Sequence, residues 1–178
     1  MAAKVIVSHG RENFIEHYIA QGKQVLYLLP EIALTTQLVS RLTKHFGNKV
    51  AVFHSKYSNN ERVEVWKQVL ENASKAQIVI GARSALFLPF TTLGLLIVDE
   101  EHEQTFKQVD PSPRYHARDA GIVLANFHKA KVVLGSATPS LETYYNTQTN
   151  KYGIVEITER YGHVMMAEIE LVDLKDAY

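Results

Sequence analysis

The sequence predicts an α/β domain with a mainly parallel sheet covered by helices on both faces. Two observations carry that prediction. Short apolar runs of strand length alternate with segments whose apolar residues recur at helical spacing. The runs themselves are apolar throughout, the pattern of strands buried inside a layered fold.

The chain opens on Met1-Ala2-Ala3-Lys4 and the apolar triplet Val5-Ile6-Val7. Val25-Leu26-Tyr27-Leu28-Leu29 is a buried strand, entered through Gly22-Lys23 and stopped by Pro30. Leu34, Leu38, Leu42 and Phe46 mark a helix that Gly47 closes. Val50-Ala51-Val52-Phe53 is the next strand. Ser58-Asn59-Asn60-Glu61 has the form of a capping box, and the helix it opens carries Val65, Trp66, Val69 and Leu70, with Trp66 expected in the core. Gln77–Ile80 and Leu93–Val98 are further strands.

Residues 103–115 form the longest polar loop, and Pro111 and Pro113 forbid a regular helix or a central strand there. A helix from about His116 carries Ile122, Val123, Ala125 and Phe127, and Lys131–Gly135 is a strand. Thr138 is expected to cap a last helix, with Pro139 at its first position. Beyond residue 150 the pattern changes. Gly153–Ile157 and Glu168–Val172 read as strands without a helix between them, either a small antiparallel addition or a link to something further. The expected division is therefore a domain at 1–150 and a strand-rich extension at 151–178.

Composition narrows the chemistry. The 178 residues suit one domain with a substantial core, and 46% hydrophobic with 21% charged is ordinary for a globular protein. Formal net charge is zero, so nucleic-acid contact would rest on local patches and backbone donors. The absence of Cys excludes disulfides, thiolate metal sites and thiol catalysis, and agrees with a cytoplasmic location. No apolar run reaches membrane-spanning length, and the N-terminal segment is too polar for a secretory signal.

Asp99-Glu100-Glu101-His102 follows the 93–98 strand directly. Ligands of open α/β sheets bind at the carboxyl ends of strands. Adjacent carboxylates there suit nucleotide hydrolysis, the first holding Mg²⁺ through water and the second polarising the attacking water. Taken alone, the cluster also fits an acidic patch that ends a strand. Its neighbours weigh against that. Pro30–Gln37, Gly81–Ala85 and Gly135–Ser140 each place small or hydroxyl residues and helix-start amides after a strand, and such groups hold phosphates without net charge. The histidines lack metal-ligand spacing, so no zinc is expected, and His54 reads as structural.

In this order and spacing the segments resemble the first, RecA-like motor lobe of superfamily-two DNA helicases. More narrowly, they resemble the PriA family of primosomal replication-restart helicases. Leu28–Thr35 is similar to motif Ia, Gly81–Ala85 to motif Ib, Asp99–His102 to the Walker B box, and Gly135–Ser140 to motif III. His54-Ser55, Glu61-Arg62, Trp66 and Tyr115–Asp119 add to the likeness, which covers about residues 22–175.

The resemblance implies ATP and Mg²⁺ as cofactors, with Asp99 on the metal and Glu100 activating water at the γ-phosphate. His102 would face the nucleotide and pass its state towards DNA, with Ser136 and Thr138 in that coupling. Pro30, Thr35, Arg83 and Ser84 would line a single-strand path. Phe106, Tyr115 and His116 would belong to an aromatic-rich loop that stacks on bases, beside Lys107, Arg114 and Arg118 on phosphates. The packing of Phe106 and Tyr115 onto the lobe is the competing reading. Implied partners are single-stranded or forked DNA, primosome proteins and single-strand-binding proteins, with 3′-to-5′ movement and no membrane.

One motif is missing. No Gly-x-x-x-x-Gly-Lys-Ser/Thr segment occurs, and the place where it is expected reads Ser8-His9-Gly10-Arg11-Glu12-Asn13. The isolated chain is therefore expected to unwind nothing and to hydrolyse almost no ATP. The alternatives are a degenerate lobe that binds DNA or protein without catalysis, and a Mg²⁺-dependent hydrolase using Asp99 and Glu100 on another substrate.

Overall fold

The computed structural model describes residues 4–6, 11–31 and 36–156. In chain order the elements are β1 (Lys4–Ile6), α1 (Arg11–Ala20), β2 (Gln24–Leu28), α2 (Thr36–Phe46), β3 (Val50–Phe53), α3 (Asn59–Leu70) and β4 (Ile78–Gly81). There follow β5 (Leu93–Asp99), β6 (Lys107–Gln108), β7 (Tyr115–His116), α4 (Ala117–Phe127), β8 (Lys131–Gly135), α5 (Leu141–Gln148) and β9 (Gly153–Val155). One sheet holds seven strands in the order β3-β4-β2-β5-β8-β1-β9, and every neighbouring pair in it is parallel. No helix among the described residues is long and apolar enough to cross a membrane.

Strand periodicity sorts the core into two layers. Val25, Tyr27 and Leu29 of β2 and its end pack with Ile15 and Ile19 of α1 and with Leu42 and Phe46 of α2. Leu26 and Leu28 face the opposite side, against Val69 of α3 and Ala117 and Ala125 of α4. The three-layer architecture read from the sequence is thus the one that forms. Gly47 leaves α2 at φ +63°, a left-handed value that suits a residue without Cβ. Ser58 and Glu61 complete the capping box of α3 in both directions.

Four local readings need correction. Trp66 is 43% exposed rather than core, because α3 turns Val65 and Val69 inward and leaves Trp66 about 100° around the helix. Phe127 likewise points outward at the end of α4. The cap of α5 is Ser140 rather than Thr138. Ser140 accepts from the Thr143 amide while its own amide donates to Glu101, and these bonds set the helix start two residues later. Finally, β9 joins the edge of the main sheet parallel to β1, so 153–155 is not an antiparallel addition. The expected strand at 168–172, and Leu34, Thr35 and Val7, lie outside the described residues.

Candidate nucleotide and nucleic-acid site

Because every ladder of the main sheet is parallel, the ends of β2, β3, β4, β5 and β8 share one edge. Leu28 is level with Val98 and Gly81, and Asp99 is level with Gly135. The four segments singled out in the sequence therefore emerge side by side. Ser55, just past β3, donates to Glu31 at 2.7 Å and ties two of these exits together.

Asp99 ends the central strand at 9% exposure. Its Oδ1 accepts the Glu100 amide at 3.0 Å and its Oδ2 accepts the Tyr27 hydroxyl at 2.9 Å. Glu100 has a φ of +49°, a left-handed conformation uncommon for a non-glycine residue, and its side chain is 45% exposed. The abrupt turn separates three successive carboxylates into three environments. Asp99 is fixed at the edge, Glu100 faces outward, and Glu101 is sealed inside.

Glu101 is fully buried, and its amide donates to the Gly135 carbonyl at 3.0 Å. Its carboxylate accepts from Arg118 (2.8 Å), the Ser140 amide (2.7 Å), the Ser140 hydroxyl (3.0 Å) and the Thr143 hydroxyl (2.9 Å). Burial opposes the Arg118 charge, but hydrogen bonds to Asp119 and Glu101 outweigh it and raise the guanidinium pKa. Arg118 is thus committed to the interior, and the expectation that it meets phosphates is corrected.

His102 turns back towards the end of β8. Its Nδ1 shares a 2.7 Å hydrogen bond with the Ser136 hydroxyl, and its Nε2 lies 3.4 Å from the Thr138 hydroxyl. Ser136 Oγ also accepts the Thr138 amide at 3.0 Å. Glu100 Oε2 is 3.7 Å from His102 Nδ1, so Asp99, Glu100, His102, Ser136 and Thr138 form one connected group. The fit to a hydrated Mg²⁺ rests on its donors. Asp99 is a carboxylate oriented by two hydrogen bonds, Glu100 is a second one facing outward, and no all-protein cage of three or more acidic, His or Cys groups exists among the described residues. Mg²⁺ characteristically takes one or two carboxylates and completes its shell with water and phosphate.

Arg83, Ser84, Phe106, Tyr115 and His116 gather around a hairpin. Strands β6 and β7 pair antiparallel, with Lys107 level with His116 and Gln108 with Tyr115. Arg83, in the short turn Arg83–Phe87 after β4, donates to the carbonyls of Thr105 (3.4 Å) and Lys107 (3.0 Å), and Ser84 beside it is half-buried. Tyr115 meets Phe87 edge to face, with centroids 5.4 Å apart. Burial raises the Tyr115 pKa, against a smaller opposing effect of Arg83. Burial lowers the His116 pKa, with Arg118 acting in the same direction.

Two further expectations fail. Phe106 is 1% exposed and belongs to the core, so it offers no face to a base. Pro30 is also buried and shapes the turn after β2 instead of lining a surface. Sequence reasoning missed Tyr27, the buried role of Glu101 and its partners Ser140 and Thr143. Nothing local singles out Glu101 among its acidic neighbours, because its partners lie 17 to 42 residues away.

The family model described as DEAD/DEAH box helicase matches residues 9–147. The chain belongs to the DEAD/DEAH box helicase family. Among curated proteins it is 44% identical over 162 residues to the replication restart protein PriA of Bacillus subtilis (strain 168), covering 91% of this chain and 20% of that protein. For the replication restart protein PriA of Rickettsia felis the identity is also 44%, over 91% of this chain and 24% of that protein. The chain thus spans about a fifth to a quarter of these relatives.

Among solved structures, the DUF1998 helicase MrfA superposes with a TM-score of 0.60 at 20% identity, over 89% of this chain and 28% of that one. RecG bound to a three-way DNA junction gives 0.58 at 17% identity, over 89% and 21%. The C-terminal domain of S. cerevisiae Dbp5 bound to Gle1 gives 0.58 at 11% identity, over 86% and 88%. At these identities the structures bear on fold, and the fold is that of a RecA-like helicase domain. Membership in the helicase family matches the resemblance read from the motifs.

Proposed function

We propose that this chain is the first motor lobe of an ATP-dependent DNA helicase of replication restart. The observation that supports this best is the connected edge of Asp99, Glu100, His102, Ser136 and Thr138, which ties the acidic box to the segment after β8 through the 2.7 Å His102–Ser136 bond. Asp99 holds Mg²⁺ through water, and the metal neutralises phosphate charge when bound. Glu100, outward and half-exposed, orients the attacking water and takes its proton. His102 reads the nucleotide side and hands its position to Ser136. Arg83, Ser84, Tyr115 and His116 belong to the single-strand path, with Lys107 and Arg114 exposed beside it. The whole protein works on forked or single-stranded DNA in the cytoplasm, moving 3′ to 5′ with primosome and single-strand-binding proteins.

The chain by itself is nearly inactive as an ATPase, because no Gly-x-x-x-x-Gly-Lys-Ser/Thr cradle is present in its sequence to hold the triphosphate. The same observation favours a second reading, a lobe that binds DNA or protein without hydrolysis. Phosphate release with and without single-stranded DNA, alongside DNA binding by fluorescence anisotropy, separates these. The motor reading expects DNA binding and a trace rate that vanishes in Asp99→Asn. DNA binding with no Asp99-dependent rate supports the second. A strong Asp99-dependent rate overturns the inactivity, and failure to bind DNA at all removes the single-strand path.

A further inference from the structure

Phe106, the aromatic expected to stack on bases, is inside the core, yet an aromatic ring does stand open at the same place. Phe87 is 66% exposed at the end of the Arg83–Phe87 turn. Its neighbours Ala85, Leu86 and Leu88 are all buried in one core layer, so the turn is anchored on both sides of the exposed ring. The Tyr115 ring stands at 81° to it and fixes it laterally. Arg83, at the other end of the turn, holds the hairpin through two carbonyls. Turn and hairpin are therefore one unit that presents a single phenyl ring outward.

Such exposure costs hydration free energy unless something covers the ring. The turn Arg83–Phe87 and the hairpin from Lys107 to His116 carry three cations, Arg83, Lys107 and Arg114, against one carboxylate, Asp110. An aromatic face beside an excess of cations is the chemistry that takes an unpaired base with its phosphate. A purely apolar protein partner would have no use for that charge.

We propose that Phe87, braced by Tyr115, is the stacking platform for one unpaired nucleobase, the role that the sequence had suggested for Phe106. This rests on the DNA-binding reading above. Phe87 supplies the face, Tyr115 keeps the ring from turning, and Arg83 aligns the turn with the hairpin while its charge faces the phosphate.

The test uses this chain and a fluorescent oligo(dT), followed by anisotropy. Phe87→Ala and Phe87→Leu are expected to bind about tenfold more weakly, and Phe87→Trp at least as well as the native chain, since base stacking needs a π face. The salt dependence of binding should be unchanged in all three, because no phosphate contact is lost. Wild type should bind an abasic oligomer about as weakly as Phe87→Ala binds oligo(dT), and the variant should lose nothing further on it. Being exposed, Phe87 can be replaced without loss of fold, which far-UV circular dichroism verifies. If oligo(dT) binds the native chain and Phe87→Ala equally, the platform is overturned while the DNA reading stands. If Phe87→Leu binds as well as the native chain, the contact is merely apolar and the proposal also fails. If the native chain binds no oligo(dT), both fall together.

Discussion

Glu101 and Arg118 form a buried ion pair at 2.8 Å that closes the neck of the hairpin segment, one at its entry and the other just past its exit. The pair also reaches α5 through Ser140 and Thr143. One carboxylate thus joins the acidic edge, the start of α4 and the start of α5. Glu101 follows two residues proposed for chemistry, but its own surroundings are those of a structural bolt.

Removing one member of such a pair leaves the other charge buried and uncompensated. Glu101→Gln is expected to destabilise the chain by about 3 kcal/mol, read from the urea midpoint, because Arg118 then keeps only the exposed Asp119 as a charged partner. The double variant Glu101→Leu/Arg118→Met should recover only the part due to the stranded charge, since the Ser140 amide and the Ser140 and Thr143 hydroxyls still lack their buried acceptor. A single variant as stable as wild type would show that the pair contributes little.

Tyr27 is 1% exposed and donates to Asp99 from a strand 72 positions earlier. Tyr27→Phe should cost about 1–2 kcal/mol of stability by taking a donor from a buried carboxylate. In a double-mutant cycle with Asp99→Asn the two effects should be non-additive by about 1 kcal/mol. Strict additivity would mean that the hydroxyl does not orient Asp99.

Gly81 ends β4 where a Cβ would meet the Ala85 Cβ at 2.6 Å and the Phe53 carbonyl at 2.8 Å. One of these neighbours is backbone and cannot swing aside. Gly81→Ala should therefore destabilise by about 1–3 kcal/mol and displace the Arg83–Phe87 turn. Chemical denaturation measures the first effect. Weaker oligonucleotide binding at full folding checks the second, and a variant indistinguishable in both assays would contradict the close packing.

His116 makes stability depend on pH. Burial, followed by Arg118, lowers its pKa below the ordinary 6.5, while Asp119, Glu101 and Glu142 oppose the shift. Between the native value and 6.5 the unfolded chain binds more protons, so stability falls as pH drops through that window and levels off below it. His116→Gln should flatten this part of the profile. Glu61 lies lower on the scale. Its hydrogen bonds to Ser58 lower its pKa from 4.5, so its contribution is lost only as pH falls beneath that range. An unchanged slope near pH 6 in His116→Gln, measured by urea midpoints, would exclude His116 as the source.

Much of the fold was legible because its causes are local. A strand buried on both faces must be apolar where it is buried, and Val25–Leu28 of β2, all of β4, Leu93–Val98 of β5 and Val132–Gly135 of β8 are. The capping box of α3 lies within four consecutive residues, so Ser58 and Glu61 could be paired on sight. The functional edge followed too, since parallel strands deliver their following loops to the same side. Which aromatic ring is open was not legible. Phe106 and Phe87 each end a short turn, Gln104–Phe106 and Arg83–Phe87, and only the packing of the hairpin on the lobe buries one and leaves the other out.

The sequence by itself determined the alternation of strands and helices, the parallel sheet, and the placement of Asp99, Glu100 and His102 beside Gly135–Ser140 at its edge. Periodicity and turn chemistry act over a few residues and are written in the order of residues. The tertiary structure alone decided what each polar side chain faces. It sent Glu101 inward to Arg118, put Tyr27 on Asp99, moved the cap of α5 to Ser140 and left Phe87 exposed. Those outcomes depend on partners 17 to 72 residues away and on the cost of burying a charge or hydroxyl without one.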